Sequence, residues 1–515
     1  MLFNSDIFVF LFLPVSLIIY YLLGRSNSLN GAITWLGCVS LFFYAWWSLR
    51  FLALLLASII INYFLGMFLA KQVSSLDRRR SRLVLVIGIS LNLAVLVHYK
   101  YLDFIFNSLF SLMNVPLALP SAFLPLGISF FTFTQLAYLV DVYQGKAKEY
   151  NFLSYIVFVT FFPHLIAGPI LHHKEMMPQF ESRNTFILNW QNICVGLVIF
   201  ILGLTKKVMI ADSLSNIAKP VFIWASLGKP LSFLEAWTGA LAYSFQIYFD
   251  FSGYSEMAIG LALMFNIRLP INFFSPYKAK SIIEFWRRWH MTLSRFLKDY
   301  LYIPLGGNRR GKLRRYANLM LTMFLGGLWH GAGWTFVIWG CLHGSYLVIN
   351  NLWRDLAIKF GLSLNKIISR SITFLAVVIA WVFFRAKDVE SATEIIKTMF
   401  GFHGIALHES WFNMLPAAIQ PTFHLGLSSS AKTVSIDSAL WIIGSMIIVF
   451  FLPNVIELTA KYNPALDVDT AIIESRWARY LEWNPTPLWV CVLGLSLLLC
   501  ILGFSETSEF LYFQF

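Results

Sequence analysis

Apolar segments long enough to cross a lipid bilayer recur along this chain. A spanning helix needs roughly 17–25 mostly apolar residues for about 30 Å of hydrocarbon, and lipid favours helices for such runs. Eight segments meet that length: 7–23, 31–47, 51–70, 123–140, 152–171, 334–352, 438–453 and 487–504. Six shorter or interrupted segments are 83–97, 189–204, 234–249, 253–267, 316–329 and 371–384. We therefore predict an all-α integral membrane protein with roughly 11–14 membrane helices, plus interfacial and re-entrant helices.

The composition excludes an ordinary soluble protein. Of the 515 residues, 58% are hydrophobic and 13% are charged, whereas a soluble chain carries about 25% charged residues. The first apolar segment has no basic residue ahead of it, so we expect a membrane helix and not a cleavable signal. No internal repeat or low-complexity linker interrupts the chain, which predicts one domain over residues 1–515. The five cysteines lack C-x-x-C spacing and are expected to be buried thiols.

The excess of basic residues is concentrated in one segment. The net charge is +13, which on a soluble protein would suggest a nucleic-acid partner. Segment 268–315 alone has twelve Lys and Arg against two acidic residues, a net charge of +10. The positive-inside rule places this segment and the basic loop 71–82 in the cytoplasm, with the N-terminus outside. The acidic tail, with Glu506 and Glu509, suits the outside as well. We therefore predict a lipid bilayer, and no nucleic acid, as the partner of these charges.

A charge-free stretch after this segment isolates one histidine. Residues 316–353 contain 38 positions without Asp, Glu, Lys or Arg between two basic flanks, so the stretch should enter the membrane and return at its glycine-rich run 326–333. His330 lies in that run, about 20 Å along a helix from the cytoplasmic surface. An ionisable side chain at membrane depth predicts a functional site, and Trp329 and Trp334 would line a tunnel beside it. A structural histidine bonded to a backbone carbonyl is the alternative.

The basic segment contains a second histidine and a candidate amphipathic helix. Apolar and aromatic residues recur at nearly helical spacing over 281–303 with basic residues between them, which predicts a helix at the cytoplasmic interface. Its cations would contact either the phosphates of an acyl carrier such as coenzyme A or anionic lipid head groups. The candidate coenzyme-binding residues are Arg287, Arg288 and Arg295. His290 lies in the same predicted helix, and it is either part of a functional site or an ordinary interfacial residue.

Metal and nucleotide chemistry find no support in the sequence. Neither the run 172–175 (His-His-Lys-Glu) nor the pair His330 and His343 has the spacing that sets two metal ligands on one helix face, so no metal site is predicted. Walker, G-x-G-x-x-G and G-x-S-x-G patterns do not occur. Asp250 ends an apolar segment and is interpreted as a helix cap, with a polar residue of a cavity as the alternative.

Five segments taken together carry a family resemblance. They are FFPHLIAGP at 161–169, YFDFSGYSEMAIG at 248–260, FWRRWHMTLSRFLKDYLYIPLGGNRRG at 285–311, GGLWHGAGWT at 326–335 and WVFFRA at 381–386. The chain resembles the bacterial alginate O-acetyltransferase group of the membrane-bound O-acyltransferase (MBOAT) superfamily over essentially its whole length. That group is also similar to teichoic-acid D-alanyl transferases and to a peptidoglycan O-acetyltransferase. The resemblance implies a helix bundle around a tunnel, with the family's invariant histidine at His330 and its second histidine at His290.

The resemblance also implies an activity. The protein would move an acetyl group from cytoplasmic acetyl-CoA, as a substrate and with no bound cofactor, across the bacterial inner membrane. The acetyl group would reach an exported polysaccharide of alginate or peptidoglycan type directly or through a periplasmic acetyltransferase partner. His330 would be the general base that takes the proton of the acceptor hydroxyl, and His290 would support the site. A transporter with a proton-relay histidine and a scaffold that recruits a periplasmic enzyme are the alternatives.

Overall fold

The computed structural model is almost entirely helical in the part of the chain that it describes. It describes residues 1–26, 29–113, 115, 123–148, 151–402, 406–407, 416, 424–425, 434–466, 468, 477–504 and 510–511. The α-helices, numbered α1 to α21 in chain order, are Leu13–Arg25, Leu29–Ala45, Leu49–Ser74, Arg78–Leu96, Leu102–Leu112, Ile128–Tyr143, Phe152–Thr160, Phe162–Leu165, His173–Glu181, Trp190–Thr205, Asp212–Ser226, Phe233–Met264, Ile282–Trp286, Met291–Leu297, Gly311–His330, Trp334–Phe360, Lys366–Arg385, Val389–Met399, Ile436–Phe451, Val455–Thr459 and Pro487–Leu502. The π-helical segments Ile7–Phe12, Val97–Tyr101, Lys206–Ala211 and Lys298–Tyr302 adjoin them. Short 3₁₀ turns are Arg183–Phe186, Pro276–Lys278 and Ala460–Tyr462, and strands β1 (Ala406–Leu407) and β2 (His424–Leu425) form one parallel pair.

Several of these helices have the length and apolarity of membrane spans. Five described stretches pass both criteria: Ile7–Arg25, Leu49–Ser74, Arg78–Leu112, Trp190–Ser226 and Lys366–Arg385. The pair Ile436–Phe451 and Val455–Tyr462, bent by 50°, forms a sixth if it is one span, and Leu29–Ala45 and Pro487–Leu502 are shorter apolar helices. The prediction of a multi-helix membrane protein is confirmed. The count of 11–14 membrane helices and the single domain over 1–515 stay predictions, and the acidic tail residues Glu506 and Glu509 lie outside the described residues.

The predicted span 152–171 is broken in the structure. Helix α7 ends at Thr160, and α8 is a separate piece of four residues. Pro163 lies in the first turn of α8, where its ring fits but where it would interrupt a longer helix. Segments 234–249 and 253–267 show the opposite result, because they form the single 32-residue helix α12.

Asp250 therefore lies inside a helix, and its interpretation as a cap is wrong. The Lys207 ammonium lies 2.9 Å from one oxygen of the Asp250 carboxylate, and the Leu511 amide donates to the other at 3.1 Å. Lys207 also lies 2.7 Å from Asp212. The Lys207 and Asp250 side chains are 1% and 3% exposed, so these two buried charges compensate each other by direct ion pairing. Asp212, with a 21% exposed side chain, is a second carboxylate on the same ammonium group.

Glycines hold α10 and α12 at close distance in the middle of the bundle. A Cβ atom at Gly260 would lie 2.5 Å from the Gly196 carbonyl oxygen, and one at Gly203 would lie 2.7 Å from the Gly253 carbonyl oxygen. Small residues let helix backbones approach in this way in membrane proteins. Nearly every residue of α12 from Glu235 to Met264 is buried as a result.

Gly260→Val is expected to destabilise the protein by about 1–3 kcal/mol, because the added atoms overlap the α10 backbone. Thermal unfolding of the purified protein in detergent measures the loss. Gly494→Val is the matched control, since a Cβ atom at Gly494 has no neighbouring atom within 4 Å. An equal melting temperature for the two variants would contradict the close packing of α10 on α12.

The five cysteines are free thiols, but most are not buried. Cys500 is buried and Cys341 is half-buried, whereas Cys38, Cys194 and Cys491 are exposed. The expectation of burial is wrong for these three. In a membrane protein an apolar segment needs no cover from the protein itself, because lipid tails are as apolar as a protein interior.

The prediction of one continuous helix over 281–303 is also wrong, whereas its location at the cytoplasmic interface stays a prediction. The segment consists of α13, a turn, α14 and the π-helical segment Lys298–Tyr302. The turn is sharp because His290 adopts φ +43°, a left-handed conformation that is rare for residues other than glycine. The aromatic side chains around it are inside the bundle: Trp289 is 2% exposed and its ring lies 4.9 Å from that of Trp381. The Trp289 side chain therefore packs against α17, and the aromatic side of the segment is part of the core.

Candidate active site

Helices α15 and α16 form a hairpin with His330 at its turn. His330 is the last residue of α15, and the extended residues Gly331 and Gly333 lead into α16. A Cβ atom at Gly327 would collide with the Phe336 carbonyl oxygen, so this glycine lets the two helices touch. The predicted reversal of the chain at the run 326–333 is observed as this hairpin. The helix continues through Gly327, however, and the break follows His330.

Two side chains from another helix cap the carbonyl end of α15. The Lys100 ammonium donates to the Trp329 and His330 carbonyl oxygens at 2.6 and 3.1 Å, and the Tyr101 hydroxyl donates to the Leu328 carbonyl at 2.8 Å. The Gly331 amide donates to the Gly327 carbonyl at 3.4 Å. The last four carbonyls of a helix have no partner within the helix, and here all four have one.

Aromatic rings surround the His330 imidazole. Its ring centroid lies 5.0 Å from Trp339, 5.2 Å from Phe384 and 4.9 Å from Trp329, and the residue is 5% exposed. Trp334, expected to line a tunnel, is instead 57% exposed. Among the described residues, no group of three or more His, Cys, Asp or Glu side chains could hold a metal ion.

His290 lies beside His330 and is fixed by Asn272. The two imidazole centroids are 6.3 Å apart. The Asn272 side-chain oxygen lies 3.1 Å from His290 Nδ1 and accepts from the backbone amide of Thr292 at 3.3 Å and from its hydroxyl at 2.9 Å. The backbone donor identifies this atom as the oxygen, so Nδ1 of His290 carries the proton and its Nε2 is the acceptor nitrogen.

A cavity of about 230 Å³ lies beside His330, at the turn of the hairpin. We call it the turn cavity. Lys100, Ser129, Trp329 and His330 contribute to its wall, and its remaining lining includes Trp47 and the segment 123–128. By the predicted topology, these last residues lie at the outer ends of the predicted spans 31–47 and 123–140. On that prediction, the turn cavity would join His330 to the side opposite the basic segment.

Two further cavities, of about 560 and 440 Å³, lie along the basic segment, and we call them the basic cavities. Arg287 lines both of them; Arg288 and Arg354 line the larger, and Arg295 lines the smaller. Arg354 is on α16, some 20 residues from its start at the turn, which corresponds to about 30 Å of helix. The larger basic cavity therefore extends toward the open end of the hairpin, away from the turn cavity.

The three predicted coenzyme-binding arginines differ in their environment. Arg288 pairs with Glu284 at 2.7 Å, and Arg295 makes a two-pronged contact with Glu175 at 2.6 and 3.0 Å. The Arg287 guanidinium is exposed and has no hydrogen bond or ion pair with another described residue. Of these three positive charges, that of Arg287 is the one left for a ligand.

A chain of buried polar groups connects the two kinds of cavity. Thr292 lines the smaller basic cavity and shares Asn272 with His290. His290 is adjacent to His330, which lines the turn cavity. Contacts between buried side chains thus link the smaller basic cavity to the turn cavity through the two imidazoles.

Sequence reasoning missed two members of this site. Lys100 is the one Lys, Arg, Asp or Glu between Arg82 and Asp103, inside an apolar stretch, and a lone charge at such a position is a usable signal. Asn272 lies in an irregular segment, and nothing in its sequence context singles it out. Its role depends on a contact with His290 that only the folded chain makes.

Comparisons with known proteins agree with the predicted resemblance. A family model of the membrane-bound O-acyltransferase family matches residues 41–392, more than half of the chain. A peptidoglycan O-acetyltransferase of Helicobacter pylori is 47% identical over 434 residues, which cover 79% of this chain and 81% of the relative. A probable alginate O-acetylase of Pseudomonas putida is 37% identical over 522 residues, covering 100% of both. A teichoic acid D-alanyltransferase of Streptococcus thermophilus is 30% identical over 238 residues, 44% of this chain and 57% of the relative. The chain therefore belongs to the membrane-bound O-acyltransferase (MBOAT) family and is a membrane-bound acyltransferase.

Proposed function

We propose that this protein transfers an acetyl group from cytoplasmic acetyl-CoA to a hydroxyl group on the other side of the bacterial inner membrane. The observation that carries the proposal is that His330 lines the turn cavity and lies beside His290, which is linked through Asn272 to Thr292 of the smaller basic cavity. A donor thioester and an acceptor hydroxyl can meet at one imidazole only if each has its own approach to it. We assign the acceptor to the turn cavity and the donor to the basic cavities.

The chemical step is an acyl transfer from sulfur to oxygen. His330 accepts the proton of the acceptor hydroxyl as its oxygen attacks the acetyl carbonyl carbon. The carbon–sulfur bond then breaks, the acetyl ester forms, and the coenzyme A thiolate takes up the proton from the imidazolium. His290, held in one orientation by Asn272, presents its unprotonated Nε2 as a hydrogen-bond acceptor beside this centre. Walls of Trp339 and Phe384 keep bulk water from the thioester.

On the donor side we propose that Arg287 contacts a phosphate group of coenzyme A. Arg288 and Arg295 are committed to Glu284 and Glu175 and act mainly as structural partners of those carboxylates. A guanidinium is well suited to phosphate because its donors match the spacing of the oxygens. The donor needs no bound metal or cofactor in this scheme, since acetyl-CoA is itself a substrate.

Arg287→Gln is expected to raise KM for acetyl-CoA about tenfold while kcat changes less than twofold, because one charge-assisted contact is worth about 1.5–3 kcal/mol. Initial rates of coenzyme A release by the purified protein measure both constants. Arg314→Gln is the control, since this basic residue lies at the start of α15 and lines neither basic cavity. An unchanged KM in the Arg287 variant would contradict the assignment.

On the acceptor side we propose an exported polysaccharide. One relative is named for peptidoglycan and another for alginate, so the shared chemistry is a sugar hydroxyl, reached directly or through a periplasmic acetyltransferase partner. Both chain termini would then be periplasmic. In support, Phe3 and Phe510 contact the same ring, that of Tyr254, at 5.0 and 4.7 Å, so the two ends of the chain meet at one place.

The experiment that tests the function uses purified protein, acetyl-CoA and acceptor oligosaccharides. These acceptor oligosaccharides are peptidoglycan fragments and alginate oligomers, each stripped of O-acetyl groups with mild base and assayed separately. We expect free coenzyme A and acetyl ester in equal amounts with one of the two. Passage of an unmodified solute into liposomes without any coenzyme A release would instead favour a transporter.

A further inference from the structure

Lys100 makes hydrogen bonds at the turn of the α15–α16 hairpin that have no role in the acyl-transfer scheme. It is a half-buried lysine in the apolar stretch Arg78–Leu112, a position where an ammonium group is costly. Its Nζ has three hydrogen-bond partners: the carbonyls of Trp329 and His330 and, at 3.3 Å, the Ser129 hydroxyl. An ammonium group has three donors. All three are therefore occupied, and the group is not free to protonate a substrate.

These contacts lie at the carbonyl end of α15. The carbonyl end of a helix carries partial negative charge, which a cation stabilises. Lys100 binds the last two carbonyls of the helix, one of them from His330 itself. Removal of the ammonium group takes both of these hydrogen bonds away, so the last turn of α15 would be held less firmly.

We propose that Lys100 is a positioning residue that holds the carbonyl end of α15 so that the His330 imidazole faces the reacting groups. The proposal rests on the proposed role of His330 as the base. It assigns Lys100 no contact with the substrate. Its effect should therefore fall on the rate of the chemical step and not on donor binding.

The test compares Lys100→Met with Lys100→Arg in the purified protein, with acetyl-CoA and the acceptor oligosaccharides. We expect Lys100→Met to lower kcat about 100-fold, because displacing a catalytic group by about 1 Å can cost that much. KM for acetyl-CoA should stay within twofold. Lys100→Arg should recover kcat to within about tenfold of the wild type, since a guanidinium also donates to two carbonyls. A lysine needed only for folding would lower the yield of folded protein and leave kcat per folded molecule unchanged, so both rates are divided by the amount of folded protein.

Two further variants keep the result interpretable. Lys71→Met removes an exposed lysine of α3 and should leave kcat unchanged. If Lys100→Met does not yield folded protein, Lys100→Gln takes its place with the same expectation. A kcat within threefold of the wild type in the charge-removing variant overturns the proposal, as does a loss that lies mainly in KM.

The same assay with His330→Gln separates the two proposals. If His330→Gln is inactive and Lys100→Met is fully active, the positioning role of Lys100 is wrong and the proposed function stands. If His330→Gln is active, the proposed function is wrong, whatever the Lys100 variants do.

Discussion

His330→Gln is expected to lower the rate of acetyl transfer by 10²–10⁴-fold, the contribution usual for a general base. Glutamine is polar and similar in length, so the hairpin turn should still form, but its amide cannot accept a proton at neutral pH. The His330 carbonyl remains available to Lys100, because the substitution leaves the backbone unchanged. Coenzyme A release by purified protein and acetyl ester in the cell envelope both measure the loss.

The matched control for that experiment is His98→Gln. His98 is an exposed histidine in the π-helical segment Val97–Tyr101, so it tests whether any histidine near the membrane matters. We expect wild-type activity from it. Full acetylation by the His330 variant at an equal membrane level would mean that the proton is accepted elsewhere.

Lys207→Met is expected to give the largest loss of stability, about 3–5 kcal/mol, because it leaves buried carboxylates without their counter-charge. The Asp250 side chain is 3% exposed and would keep the Leu511 amide as its described partner. Asp212, with a 21% exposed side chain, would lose its 2.7 Å contact as well. Thermal unfolding and the yield of folded protein in detergent measure the effect.

Lys312→Met is the control for this substitution. The Lys312–Asp355 pair has the same 2.7 Å length, but its side chains are 72% and 44% exposed. An exposed pair contributes about 0–1 kcal/mol, so its loss should be small. The double variant Lys207→Met with Asp250→Asn should recover stability relative to Lys207→Met alone. Equal losses in the free energy of unfolding from Lys207→Met and Lys312→Met would show that burial does not strengthen the Lys207–Asp250 interaction.

The hairpin and its histidine could be predicted from the sequence because their signals are local. Residues 316–353 carry no charge, which indicates a membrane environment. The two basic flanks place both ends of this stretch on the same side, so the chain has to turn back, and the glycine run is where it can do so. The helices Leu49–Ser74 and Lys366–Arg385 contain the predicted segments 51–70 and 371–384, which rest on the same hydropathy argument. These features depend on whether lipid or water surrounds each segment, and the hydropathy and charge of the sequence indicate this directly.

The rest of the site depends on contacts between distant segments. Residues 281–303 have nearly helical spacing, yet aromatic packing inside the bundle and the turn at His290 divide them into short helices. The position of Asp250 at the end of an apolar segment favours a cap, and its pairing with Lys207 is a tertiary contact that this position does not reveal. The same holds for Asn272 beside His290 and for Lys100 at the end of α15. Hydrophobic periodicity carries no information about such partners.

Transfer of acetyl across a bilayer is the central claim, and reconstituted vesicles test it most directly. Proteoliposomes would enclose the acceptor oligosaccharides and receive acetyl-labelled acetyl-CoA outside, with the basic loop 71–82 facing out, as verified by trypsin cleavage there. We expect labelled acetyl ester inside the vesicles, an equal amount of free coenzyme A outside, and neither product with His330→Gln. Ester formed only on acceptor added outside, or equal transfer by the His330 variant, would contradict the account.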